Sequence, residues 1–286
     1  MPAVSEAAGV TVRGLLREAA DELAVAGCES PGVDAELLLA HAFGVSRSQL
    51  SLELSRSLDP SELESVRRLV ERRARREPLQ HVLGTWGFRG LVLKVDRRAL
   101  IPRPETETVV ERGLALLHGV TDPRVLDVGT GSGAIGLAIA DEHAGARVTG
   151  IDVSVEALEL ARENALLTGI AIELGEHDLF KGLPLGPWDL VVSNPPYVAP
   201  SDRGQLQLEV RDWEPPLALY GVDAVPAVAR GSQVVLREGG ALVLEVGDGQ
   251  AGEIAALLGR LGFVDVRVSR DMSGRDRVVE GRRPVG

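Results

Sequence analysis

Residues Val125-Leu126-Asp127-Val128-Gly129-Thr130-Gly131-Ser132-Gly133 read as a buried strand that runs into a glycine-rich turn and then a helix. Such a turn needs glycines because its dihedrals are unusual and a ligand must approach the backbone with no Cβ in the way. Around it, strand and helix patterns alternate: strands at 124–128, 147–151, 170–173, 188–193 and 241–246, helices at 134–141, 155–167, 224–236 and 252–261, and a closing strand pair near 264–268 and 277–280. With short connections, that alternation predicts an α/β fold built on a parallel, doubly wound sheet with helices on both faces.

The turn's surroundings narrow the ligand. Asp152 ends the next strand, about twenty residues on, where an acidic side chain can bind ribose hydroxyls. Gly131, Gly133 and Gly136 also satisfy the dinucleotide pattern G-x-G-x-x-G, which keeps a nicotinamide enzyme in view. Asp127 argues the other way. A carboxylate two residues before Gly129 can hold the ammonium of S-adenosylmethionine and would repel a pyrophosphate at the same helix N-terminus. No positioned His, Tyr or Lys is evident for handling a hydride. Asp178 is either an acceptor for an adenine amino group or a turn residue.

A second buried strand, Asp189-Leu190-Val191-Val192-Ser193, delivers Asn194-Pro195-Pro196-Tyr197 at its carboxyl end, the side where ligands bind in such sheets. Two prolines remove two backbone donors and fix two φ angles. Asn194 offers a side-chain acceptor, Pro195 a carbonyl without a donor of its own, and Tyr197 a flat ring for stacking on a planar group. Two acceptors that grip the hydrogens of a planar NH2 would orient its nitrogen and favour pyramidal character as a methyl group arrives. An ordinary strand-terminating turn is the alternative for the same four residues.

Upstream the period is helical. Val12, Leu15, Leu16, Ala19, Ala20 and Leu23 share a face that Gly27 ends, and a second helix over 33–42 is closed by Gly44. Asp59 caps a third, with Pro60 in its first turn and Leu63, Val66, Leu69 and Val70 facing inward. Its other face carries Arg67, Arg68, Arg72, Arg73, Arg75 and Arg76, either a solvated face or a docking surface for acidic protein or RNA phosphate. Residues 86–95 look like a hairpin, and a helix over 105–117 follows. The expected division is a small all-α domain over 1–84 that recognises substrate, a β-hairpin linker over 85–101, and the sheet domain over 102–286.

The net charge of −11 argues against a polyanionic partner. Cys28 is the only cysteine and the five histidines are scattered, so neither a disulfide nor a metal site is expected. No apolar run approaches membrane-spanning length, and Met1 to Gly14 lack a secretory pattern, so a cytoplasmic protein is expected, with a monomer as the default.

With these residues in place, the chain resembles the peptide chain release factor glutamine methyltransferases over nearly its whole length. Asn194-Pro195-Pro196-Tyr197 and Leu100-Ile101-Pro102-Arg103-Pro104-Glu105-Thr106-Glu107 carry the likeness most specifically. Glu214-Pro215 with Ala218-Leu219, and Gly274-Arg275-Asp276-Arg277-Val278-Val279, extend it. The resemblance implies a Rossmann-like class I methyltransferase sheet. It implies S-adenosylmethionine on Gly129, Thr130, Gly131, Ser132, Gly133, Asp152 and Asn194, with Asp178 and Leu179 near the adenine. It further implies that Asn194, Pro195, Pro196 and Tyr197 hold the glutamine amide of a Gly-Gly-Gln motif in a class-1 release factor. Some members carry an aromatic residue where Leu179 stands. Arg103 and a nearby carboxylate are expected either to brace the substrate loop or to form a structural ion pair.

The tetrapeptide alone does not separate glutamine from an exocyclic base amine. An adenine-N6 or guanine-N2 methyltransferase acting on nucleic acid is therefore the rival reading, opposed by the charge and by an aromatic content of 3%.

Overall fold

The structure is a computed structural model that describes residues 10–286; the expectation for Met1 to Gly14 falls largely outside them. The chain divides into two compact units, one holding 10–84 with 208–213, the other 85–207 with 214–286. No helix among the described residues is long and apolar enough to cross a membrane.

The helical unit contains α1 (Val12–Val25), α2 (Pro31–Phe43), α3 (Arg47–Leu52), α4 (Pro60–Ala74) and α5 (Leu79–Leu83). Leu15, Leu23, Leu38, Leu39, Leu50, Val66 and Val70 form its core. Asp59 accepts from the backbone N–H of Ser61 and Glu62 while Glu62 reaches back to the Asp59 N–H, a capping box that explains why α4 starts where it does. The short helices α3 and α5 were not expected.

The second unit opens with the hairpin β1 (Thr85–Phe88) and β2 (Leu91–Lys94), part of this unit rather than a separate linker. Next come α6 (Glu107–Leu116), β3 (Arg124–Val128), α7 (Ala134–Glu142), β4 (Arg147–Asp152), α8 (Val155–Thr168), β5 (Glu173–Glu176) and β6 (Trp188–Ser193). The strand expected at 170–173 begins three residues later, because Gly169 closes α8 in the left-handed conformation and the chain needs room to turn. After α9 (Leu208–Arg211) and α10 (Pro216–Leu219) come α11 (Ala224–Val235), β7 (Leu236–Glu245), α12 (Ala251–Arg260), β8 (Val264–Arg270) and β9 (Asp276–Arg282).

The sheet order is β5-β4-β3-β6-β7-β9-β8. It is parallel from β5 to β7, but β9 runs antiparallel between β7 and β8, so the sheet is mixed rather than wholly parallel. The cause is the short connection from β8 to β9, which permits only a hairpin. Alternate residues feed opposite cores: Leu126, Val128, Val191 and Leu242 pack with α11 and α12, and Val125, Leu190, Val192 and Val243 with α6 and α7. The chain winds outward from β3 through β5, then returns to lay β6 on the other side of β3. That reversal places a crevice at the carboxyl ends of β3 and β6.

The arginine run is neither a bare solvated face nor an open basic surface. Arg67, Arg68, Arg72 and Arg75 pair with Glu18, Glu64, Glu77 and Glu71. Arg73 is buried, 2.7 Å from Asp34 and 2.9 Å from Glu209, and Arg76 meets Glu209 at 2.6 Å. Glu209 lies on α9, so residues 208–213 belong with the helical unit although the sequence division assigned them to the sheet domain. Arg73→Met leaves Asp34 buried without its cation and should cost about 3–5 kcal/mol. Urea unfolding of the helical unit checks this; an unchanged midpoint contradicts it.

Candidate active site

The turn after β3 is held from behind. Asp127 is fully buried; its Oδ2 accepts the Thr130 hydroxyl at 2.6 Å and the Gly136 N–H at 3.0 Å. Burial pushes its carboxyl up to about 6, against the two hydrogen bonds that favour the ionised form. Its Oδ1 has no partner. Asp127, expected from sequence to meet a ligand's ammonium, braces the turn in the structure and is not among the residues that line the cavity. Because it already occupies one N–H of the first turn of α7, a pyrophosphate there would meet a spent donor and a like charge.

Gly129, Thr130, Gly131 and Ser132 line the cavity. Gly129 and Gly131 have φ of +69° and +56°, and a Cβ built on Gly129 would meet nothing within 4 Å, so the turn is open on its ligand side. Gly133 does not line the cavity. Its φ is +83°, and a Cβ would sit 3.2 Å from Leu137 and 3.3 Å from Ala161, so its role is to let α7 and α8 approach. Asn164, a buried polar residue within α8, donates to the Ser132 carbonyl at 2.9 Å and bonds both backbone groups of Lys94, locking the hairpin to the turn.

Asp152 lines the cavity, its Oδ2 accepting from the Gly131 N–H and its Oδ1 from the Ser154 N–H, each at 2.9 Å. Burial raises its pKa and the backbone hydrogen bonds oppose the shift. A carboxylate with one bond per oxygen keeps lone pairs for a ligand's hydroxyls. Asp178 and Leu179 also reach the wall, and Asp178 caps a short 3-10 turn by accepting from the Phe180 N–H. Phe180, which sequence reasoning passed over, lines the same end with its ring exposed.

Opposite, Asn194 and Pro196 line the cavity, whereas Pro195 is buried and Pro195 and Tyr197 are not among its lining residues. The Tyr197 ring packs against the core beside Gly247 and its hydroxyl donates to Glu245 at 3.3 Å, so it does not offer the stacking face expected of it. Burial first, and then the Glu245 charge, holds the Tyr197 phenol above its usual range. Tyr220 stands on the wall instead, its hydroxyl buried and unpartnered. Arg103 lines the cavity and binds Glu214 at 2.7 Å rather than either carboxylate of its own segment, while Glu107 accepts from the Arg89 N–H. Glu214 is buried, which raises its pKa against the opposing pull of Arg103. Thr106 also lines the cavity and donates to the buried Glu245 at 2.7 Å. Glu245 carried no sequence signal for a site, and Thr106 only its place in the Leu100 to Glu107 motif, for which the sequence offered no chemical role.

Residues 14–84 match the family model described as the PrmC N-terminal domain, and residues 111–209 match the methyltransferase small domain. The chain is 43% identical to the release factor glutamine methyltransferase of Deinococcus radiodurans, over 96% of this chain and 99% of that one. It is 41% identical to the release factor glutamine methyltransferase of Geobacter sulfurreducens, over 95% and 96%. Its fold matches a methyltransferase crystal structure from Pyrococcus furiosus with a TM-score of 0.50 at 19% identity, over 68% of this chain and 90% of that one.

Gly133→Ala and Gly169→Ala separate conformation from crowding. Both sites have positive φ, but a Cβ at Gly169 meets nothing within 4 Å. Gly169→Ala should cost about 1–2 kcal/mol, the left-handed penalty alone, and Gly133→Ala clearly more. Equal losses in thermal unfolding would remove the packing role assigned to Gly133.

Proposed function

The chain belongs to the release factor glutamine methyltransferase family, and from that premise we propose that it moves a methyl group from S-adenosylmethionine to the side-chain amide nitrogen (N5) of the Gly-Gly-Gln glutamine in class-1 peptide chain release factors. The observation that carries the reading is a single cavity lined both by Gly129, Thr130, Gly131, Ser132, Asp152, Asp178 and Leu179 and by Asn194 and Pro196. The named relatives act on release factors, and they match this chain almost end to end.

The residues present fit S-adenosylmethionine. The open backbone at Gly129 admits a ligand where a side chain would block it. Asp152 has free lone pairs for ribose hydroxyls, and Asp178, Leu179 and Phe180 flank the space for an adenine. When bound, the cofactor supplies an electrophilic methyl on sulfur.

The protein's task is to present the nucleophile. An amide nitrogen is weak because its lone pair is delocalised, as the roughly 18–20 kcal/mol barrier to peptide C–N rotation shows. The Asn194 oxygen accepts one N–H of the glutamine amide, orients the nitrogen and strengthens its bond as the nitrogen pyramidalises. The Pro195 carbonyl, between two residues that line the cavity, is the second acceptor, and Asn194, which lines the wall itself, carries the reading. No prior deprotonation is needed, since a methylated, protonated amide loses its proton readily to solvent.

The nucleic-acid rival loses its main support, because the arginine run is matched by carboxylates of its own unit. Salt-sensitive binding in a filter assay would restore it.

Asn194→Ala should leave S-adenosylmethionine affinity nearly intact and lower turnover by an amount equivalent to roughly 2.7–4 kcal/mol, as for loss of one transition-state hydrogen bond. Wild-type turnover in that variant would refute the role of Asn194. Asp152→Ala should weaken cofactor binding in calorimetry; an unchanged Kd would move the ribose contact elsewhere.

A further inference from the structure

We propose that Thr106 and Glu245 are positioning residues that hold the Asn194 carboxamide with its oxygen toward the cavity, an inference that rests on the function proposed above. Glu245 closes β7 and is 1% exposed. Its Oε2 accepts the Thr106 hydroxyl at 2.7 Å and its Oε1 the Tyr197 hydroxyl at 3.3 Å. An ionised carboxylate only accepts. The single Thr106 hydroxyl proton is therefore committed to Glu245, and only lone pairs of that oxygen face Asn194.

Asn194 must answer with a donor. Its Nδ2 donates to Thr106 Oγ1 at 3.1 Å, and its Oδ1 makes no hydrogen bond to the described residues. This orientation follows from the direction of donation along the chain of three side chains, not from telling nitrogen from oxygen. The flipped carboxamide would set its NH2 against the substrate NH2, donor against donor, and would leave oxygen facing oxygen at Thr106. The segment that holds Thr106, for which the sequence offered no chemistry, thereby acts on the reaction through Asn194.

The arrangement depends on Glu245 being ionised. Burial, the largest influence, opposes the charged form, as does Glu105; the Thr106 hydroxyl, Arg277 on β9 and the Tyr197 hydroxyl favour it, and the result is a carboxyl pushed up to about 7. Protonated Glu245 can donate to Thr106. The Thr106 proton is then free to turn toward Asn194, and the orienting bias is lost. Turnover therefore rises with pH through about 7 as Glu245 ionises.

The test compares Thr106→Val, Thr106→Ser and Glu245→Gln with wild type on a release factor substrate. Thr106→Val should lower kcat at least about tenfold with S-adenosylmethionine Kd unchanged, the scale of one lost hydrogen bond. Thr106→Ser should recover most of that loss, and Glu245→Gln should abolish the acidic limb of the kcat profile. Wild-type kcat in Thr106→Val, equal impairment in Thr106→Ser, or an acidic limb that survives Glu245→Gln would overturn the proposal. A readout independent of substrate is the NMR signal of the Asn194 side-chain NH2, expected to titrate near pH 7 in wild type and not in Glu245→Gln; a signal that does not titrate in wild type also overturns it. An inactive wild type would instead contradict the proposed function.

Discussion

The parallel pairing of β3 with β6 is the constraint on which the site depends. Val128 lies opposite Ser193, and the Ser193 hydroxyl donates to the Val128 carbonyl at 2.6 Å. Both strands are buried on both faces, so a slip of one residue would drive every side chain into the opposite core. Fixed in this register, the residues that follow, Gly129 and Asn194, emerge side by side at the carboxyl edge of the sheet. The glycine turn and Asn194 are neighbours because of strand pairing, although 65 residues separate them in sequence.

Buried polar groups then set the details. Asp127 behind the turn, Asn164 beneath it and Glu245 beneath Asn194 are each almost wholly removed from water, a costly state unless hydrogen bonds compensate. Their bonds run to Thr130 and Gly136, to Ser132 and Lys94, and to Thr106 and Tyr197, with only the Asp127 Oδ1 left without a partner. Bonds of this kind tie the cavity-lining segments to the sheet beneath them.

Local chemistry made much of this legible from sequence. A strand ending in closely spaced glycines, an acid at the next strand's end, and Asn-Pro-Pro after a buried strand each announce themselves within a few residues, and Gly129, Gly131, Asp152, Asn194 and Pro196 among them line the cavity. What stayed hidden was direction and distance. Asp127 and Tyr197 have the right chemistry but turn inward, because each finds a buried partner that only the folded sheet provides. Thr106 and Glu245 are 139 residues apart, with no local pattern to join them. The arginines of α4 looked like one surface, yet Arg73 is interior; its partner Glu209 comes from a four-residue helix too short to leave a periodic signal.

The most direct test of the account is transfer of a labelled methyl group from S-adenosylmethionine to a purified class-1 release factor, run beside a version whose Gly-Gly-Gln glutamine is replaced. The account predicts one methyl group on that glutamine's side-chain nitrogen and no label on the replaced version. Label retained after the replacement, or label found on nucleic acid instead, would contradict it.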